Sequence, residues 1–197
     1  MAAKRRAETM EENRGKLISA ARKAFAQKGF AAASMDELTA SVGLTRGALY
    51  HNFGDKKGLL AAVVAQVDEE IALRAKARAQ AAAGEWDKLL AEGIAYIEMA
   101  LEPEVQRIVL LDGPAFLGDP SLWPSQNACL EATRQALAGM MAQGVLRPVD
   151  IEAAARLLNG AAFNAALWVA ASAEPEVTLP KATQAFELLA GGLLAAR

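Results

Sequence analysis

Between residues 34 and 60 the chain reads SMDELTASVGLTRGALYHNFGDKKGLL, and its helix starts and stops fall too close together for anything but short helices. Ser34, followed three residues later by Glu37, is a capping-box pattern, in which side chains satisfy the free N–H groups of a helix start. That helix is predicted to run to about Ser41 and to end at Val42-Gly43, where glycine permits the positive φ of a tight turn. Thr45 caps a second helix, Arg46 to Asn52, which ends before Gly54; Asp55 caps a long third one starting at Lys56. Two short helices across a glycine turn make a helix-turn-helix, whose second helix can lie in the major groove of duplex DNA.

The rest of the chain reads as helical too. Residues 1–9 are expected to form a disordered basic arm, followed by a helix whose apolar face carries Leu17, Ile18, Ala21 and Phe25. Lys28-Gly29-Phe30 stops it. The helix from Lys56 is predicted to reach Ala83, with Gly84 as its breaker. Further helices are predicted over 86–101, 104–111, 125–143, 150–172 and 179–195. Residues 112–124 hold three prolines and two glycines and are expected to be mostly loop or short turns. No run of Val, Ile or Thr alternates with polar residues, so nothing argues for a sheet. The fold class is all-α, with about nine helices in two domains: a three-helix helix-turn-helix domain over 10–60 and a larger helical domain over 61–197.

Net charge is only −2, but it is unevenly placed. Residues 1–60 hold eleven basic and six acidic side chains, for +5, and the remainder holds ten and seventeen, for −7. A basic head on an acidic body suits a protein that brings one end to phosphate. A single cysteine, Cys129, excludes an intrachain disulfide framework and fits a reducing cytoplasm, where it reads as a small buried hydrophobe. The N-terminus has no apolar signal segment, and the uncharged run 157–173 is short and diluted by Asn159, Gly160, Asn164 and Ser172, so no membrane role is expected. His51 is the only histidine, with no cluster at ligand spacing, so no metal or other cofactor is expected. No nucleophile–base pair and no phosphate-cradling glycine loop is present either, so no catalytic residue is assigned and an enzyme is not expected.

The candidate DNA contacts follow from position and chemistry. Thr45 and Arg46 sit at a helix N-terminus, where free N–H groups and the helix dipole favour phosphate, and Arg46 can also reach a guanine edge. Gly47 and Ala48 let the backbone approach the groove wall, while Tyr50 and His51 can donate to phosphate oxygens. Lys56 would clamp a flanking phosphate. Leu38, Val42, Leu44, Leu49 and Phe53 form the small core that would fix the angle between the two helices.

Taken together, AFAQKGF, S-x-D-E-L, A-x-x-V-G-L-T-R-G-A-L-Y-H-N-F and D-K-K-x-L-L over residues 10–60 resemble the N-terminal domain of the TetR family of bacterial transcriptional regulators. The resemblance carries the family's DNA-contacting positions to Ser34, Thr45, Arg46, Gly47, Ala48, Tyr50, His51 and Lys56. Asn52 stands where an aromatic is common, and Gly54, where a polar residue is common, is expected to loosen the step into the next helix. The resemblance further implies a homodimer on a pseudo-palindromic operator and a body that binds a small effector and dimerises. Residues 105–123 resemble a segment found in one subset of these regulators. Candidate pocket residues are Tyr96, Met99, Ile108, Leu111, Phe116, Trp123, Met140, Phe163 and Trp168, with Asp112 and Asn164 as polar anchors. Small residues on the last two helices, Gly160, Ala161, Ala165 and Gly191, together with Leu157 and Leu194, are candidates for the dimer face. The reading is a cytoplasmic ligand-responsive repressor released from DNA by a small apolar effector. An effector-free helix-turn-helix regulator, an activator and a purely structural module stay open.

Overall fold

The computed structural model describes residues 2–196, with side chains from residue 7 onward. Among these residues the regular structure is helical, apart from one antiparallel bridge between Leu146 and Leu194. The head is built from α1 (Ala2–Ala32), α2 (Met35–Ser41), α3 (Arg46–Phe53) and the first turns of α4 (Lys56–Ala79). The body adds α5 (Glu85–Glu98), the short turn α6 (Pro103–Val105), a π-helical stretch (Gln106–Asp112), α7 (Gly113–Leu117), α8 (Pro124–Ala142), α9 (Ile151–Ala171) and α10 (Pro175–Gly191).

Several elements depart from expectation for local reasons. Residues 2–9, expected as a disordered arm, are the first turns of α1, since Ala, Arg, Lys and Glu are strong helix formers that extend the amphipathic helix behind them. Within 112–124, where loop or short turns were expected, the five-residue α7 and a turn at Pro120–Leu122 form, with Pro114 in the first turn of α7, where its missing N–H costs nothing. Gly113 lets the Trp123 ring lie against the backbone, since a Cβ there would stand 2.7 Å from the indole. α10 starts at Pro175, leaving Pro180 inside the helix, and ends at Gly191. The following residues turn back to pair with the strand-like stretch at 145–147, Ala195 donating to the Val145 carbonyl at 3.0 Å. α4 stops at Ala79, four residues short of the predicted end.

One hydrophobic core runs from the head into the body. Leu17 and Phe25 of α1 and Leu49 of α3 pack on Leu59, Leu60 and Val63 of α4. Further along α4, Val67, Ile71 and Ala75 meet Ile97, Ile108 and Val169 of the body. A boundary at residue 60 therefore falls inside α4, whose buried stripe serves both sides. A second, smaller cluster of Leu137, Met140, Leu146 and Ala155 closes the far end between α8, α9 and the C-terminal turn.

The head is joined to the body at the end of α1. Gly29 takes φ 76° and ψ 162°, a conformation open to glycine alone, and breaks the helix there. The Phe30 N–H donates to the buried Asp112 carboxylate at 2.7 Å. Arg107 approaches the same carboxylate at 3.4 Å and lies over the bare Cα of Gly29. The Phe30 ring packs tilted against Phe116 of α7, centroids 4.5 Å apart, and the Lys56 ammonium lies over it, 4.6 Å from the centroid. Nearby, Arg22 of α1 pairs with both Glu70 of α4 and Glu104 of α6, with donor–acceptor distances of 2.7–2.8 Å. Those bonds raise the Arg22 pKa further, and Arg22 holds Glu70 below the usual glutamate range.

Gly29→Ala is expected to destabilise the fold by about 1–3 kcal/mol, through backbone strain and displacement of Arg107. Gly139→Ala, at a helical site with open space around it, is expected to stabilise by roughly 0.5–1 kcal/mol. Urea denaturation of the two variants beside the parent checks both signs.

Candidate nucleic-acid interface

The helix-turn-helix is set by three caps. The Ser34 hydroxyl accepts the Glu37 N–H at 3.3 Å, Thr45 accepts from Ala48 at 3.2 Å, and Asp55 accepts from Gly58 at 2.7 Å. Only half of the capping box forms, because the Glu37 carboxylate turns instead to Lys28 at 2.9 Å. Lys28 holds that carboxyl below its ordinary pKa. Gly43, at φ 66°, makes the turn between α2 and α3. The Leu44 N–H behind it returns to the Thr39 carbonyl at 2.9 Å.

Leu38 and Leu49 are buried, and Val42, Leu44 and Phe53 pack half-buried around them, so the angle between α2 and α3 is held by the residues expected to hold it. Gly54 does not loosen the step into α4. It ends α3 at φ 76° and donates to the Tyr50 carbonyl at 2.8 Å, a closure that favours glycine. Gly58 is the residue that sequence reasoning missed in this turn. A Cβ there would stand 1.9 Å from the Phe53 carbonyl oxygen, so only glycine lets α4 begin this close to α3.

With Leu49 as its anchor, α3 turns Thr45, Arg46, Gly47, Tyr50 and His51 to solvent, with Ala48 half-buried beside them. Tyr50 is 48% exposed, high for an aromatic with no surface role inside one chain. The Thr45 hydroxyl accepts its capping bond and so keeps its own proton to donate. Arg46 reaches across the turn to Asp36 at 3.2 Å, an exposed pair that water and salt screen easily. Ser34 is half-buried at the start of α2. Lys56 is the most restrained candidate: its ammonium donates to the Ala31 carbonyl at 3.3 Å beside Phe30, and partial burial lowers its pKa. Two of its three donors remain available.

The body candidates scatter. Phe163 and Asn164 line a cleft of about 220 Å³ between the start of α8 and α9, together with Gln126, Leu130 and Asn159. Trp123 backs Phe163 edge-on at 6.3 Å. Met99 and Ile108 are buried in the main core and Met140 in the second cluster, so none of the three lines that cleft. Leu111 and Trp168 are exposed. Asp112 and Phe116, expected at the pocket, belong to the joint with the head. Tyr96 lies behind the cleft, its hydroxyl buried without a well-formed hydrogen bond. Cys129 is half-buried, and burial beside Asp68 and Glu92 pushes its thiol up to about 11.

Of the dimer-face candidates, Leu157 is 75% exposed, and a Cβ at Gly160 or Gly191 would meet nothing. Ala161 and Ala165 are half-buried against the main core. Leu194 is a correction: it packs in the second cluster and bridges Leu146, because the chain folds back after α10. The exposed apolar residues of α10 are Leu188 and Leu189 instead. Among the described residues no group of side chains is placed to hold a metal ion, and no helix is long and apolar enough to cross a membrane.

A reading helix held at a fixed angle on a basic head, carried by a larger helical body, defines a helix-turn-helix DNA-binding regulator. Similarity to known proteins narrows the class. Residues 17–63 match the bacterial regulatory proteins of the tetR family, and residues 86–193 match the tetracyclin repressor-like C-terminal domain. The crystal structure of a TetR-family transcriptional regulator from Pectobacterium atrosepticum is 46% identical, with a TM-score of 0.86, over 96% of this chain and 97% of that one. Two curated relatives match at the head: the regulator UidR of Escherichia coli, 38% identical over 63 residues (32% of each chain), and the repressor AcnR of Corynebacterium glutamicum, 37% identical over 51 residues (26% of this chain, 27% of that one). These two matches cover less than a third of either relative's length. The chain belongs to the TetR family of bacterial transcriptional regulators, and it is a regulator rather than an enzyme.

The raised Cys129 pKa has a direct consequence, since the thiolate is the reactive form. At pH 8 the folded protein is expected to react with iodoacetamide roughly a hundredfold more slowly than the urea-unfolded chain. Mass-spectrometric timing of carbamidomethylation reads the ratio.

Proposed function

We propose that the protein is a homodimeric repressor whose grip on a two-fold operator is loosened by a small molecule bound in the body. The observation that carries this reading is α3: Leu49 fixes it to the core while Thr45, Arg46, Tyr50 and His51 face outward together. In this reading Arg46 exchanges Asp36 for a base edge or phosphate, and Thr45, Tyr50 and His51 position the helix on the backbone. Ser34 and Lys56 flank it, and Gly47 and Ala48 allow close approach. The 10–60 segment acts as the reader and 61–197 as the sensor and dimer module. The exposed Leu157, Trp168, Leu188 and Leu189 on α9 and α10 support a partner copy across those helices. Effector control needs only a ligand that binds better to the state with displaced heads than to the DNA-bound one. α4, whose buried stripe spans both parts, is the element through which the cleft would act on the head. In this reading the protein works in the cytoplasm, where its operator lies.

Arg46→Ala is expected to weaken binding to an enriched operator duplex by about 1–3 kcal/mol, and Lys56→Gln to reduce the salt slope by about one, both read by gel shift across a salt series. Undiminished affinity in Arg46→Ala would contradict the assignment of α3. Leu188→Glu paired with Leu157→Glu is expected to give monomers by light scattering, with loss of operator binding. A folded dimer surviving both changes would move the partner surface elsewhere.

A further inference from the structure

We infer that the effector is an organic cation, a protonated amine on an apolar body, whose ammonium is received by Asp68 behind the cleft between α8 and α9. This rests on the reading of the body as an effector-binding domain and names the chemistry of its ligand. Asp68 lies on the buried stripe of α4, 2% exposed, between core residues Val64 and Ile71. Among the described residues no lysine or arginine pairs with it. The Gln126 side-chain amide donates to the two Asp68 oxygens at 2.9 and 3.2 Å. A carboxylate can accept about four hydrogen bonds, so the Gln126 amide and a contribution from Ser125 leave it under-served.

The surroundings are polar but likewise unfinished. The Tyr96 hydroxyl, the Trp123 indole N–H and the Ser125 hydroxyl are all buried without a well-formed partner. Unpaired buried groups of this kind are uncommon and mark a place where a ligand or water completes the bonding. Gln126 is the link to the outside, for it covers Asp68 on one side and lines the cleft on the other. A donor entering past Phe163 meets Asp68 once the Gln126 side chain swings away.

The charges nearby select the sign of that donor. Glu92 of α5 is half-buried without a hydrogen-bonded cation, and Asp119 stands at the cleft wall. Arg156, the cation on that wall, is drawn to Glu152 at 2.5 Å. An anion would meet the buried Asp68 and the Asp119 carboxylate at the cleft wall, whereas an ammonium gains from both. Burial already pushes the Asp68 pKa up, with Ser125 and Gln126 opposing, and does the same to Glu92 against a weaker pull from Lys76. Tyr96 and Cys129 face the same centre and are both raised, so neither supplies a countercharge. A cation would relieve Asp68 and draw its pKa back down.

The test uses the full-length protein and three probes of one shape: 2-phenylethylamine, 2-phenylethanol and 3-phenylpropionate, titrated by calorimetry. The amine is expected to bind at least tenfold more tightly than the alcohol, and the carboxylate weakest. Asp68→Asn, which keeps the shape and an acceptor for Gln126, is expected to bring the amine down to the alcohol's level and leave the alcohol unchanged. The wild type supplies a second readout needing no variant. Amine affinity falls as pH drops through the raised Asp68 pKa, while alcohol affinity does not. Amine binding that is absent, equal in Asp68→Asn, or no tighter than the carboxylate's would overturn the inference. Operator affinity is scored separately. An amine that binds through Asp68 without changing the gel shift keeps the cation site and contradicts effector control, whereas operator release by an anion does the reverse.

Discussion

The hydrogen bond from the Phe30 N–H to the buried Asp112 carboxylate is the contact on which the arrangement of the two parts depends. The break at Gly29 leaves the N–H of Phe30, first in the turn that follows, without an intrahelical partner, and it points to the body. Asp112 can be buried there because that N–H and the Arg107 guanidinium share its charge. Phe30 is thereby pinned between Phe116 of the body and Lys56 at the start of α4. The joint thus ties the end of α1 to the first residue of the helix that carries the reading head, and Arg22 repeats the tie two turns earlier through Glu70 and Glu104. Because the core is continuous across the joint, a displacement of α4 against the body moves α3 with it.

Much of the head was legible in the sequence, because its signals are local. Ser34, Thr45 and Asp55 cap the helices assigned to them, and Gly43 turns where a positive φ was expected. What failed there depended on partners far away in sequence or across the turn. Glu37 left its box for Lys28, and Gly54 and Gly58 acquired their meaning only when α4 was laid against α3. Gly113 similarly read as one residue of a loop or short turn, and its close approach to Trp123 showed only in the packed fold.

The body was less legible, and the reason is physical. An apolar side chain carries the same sequence signal whether it faces a neighbour or a cavity, so Met99, Ile108 and Met140 could not be told from Phe163. Asp112 and Phe116 read from the sequence as pocket residues, whereas the structure places them at the joint with the head. Asp68 did leave a signal that went unread: it is the one acid on the stripe of Leu60, Val64, Ile71 and Ala75, at a spacing that buries it. Leu194 was misplaced because the turn-back after Gly191 depends on pairing with Leu146, a contact invisible to helical periodicity.

The central claim, that α3 reads duplex DNA as one half of a two-fold protein, is most directly tested by in vitro selection from a randomised duplex pool at physiological salt. The account predicts enrichment of an inverted repeat whose half-site centres lie about one helical turn (~34–36 Å), or a multiple of it, apart. Enrichment of a single asymmetric site, or no enrichment above the input pool, would contradict it.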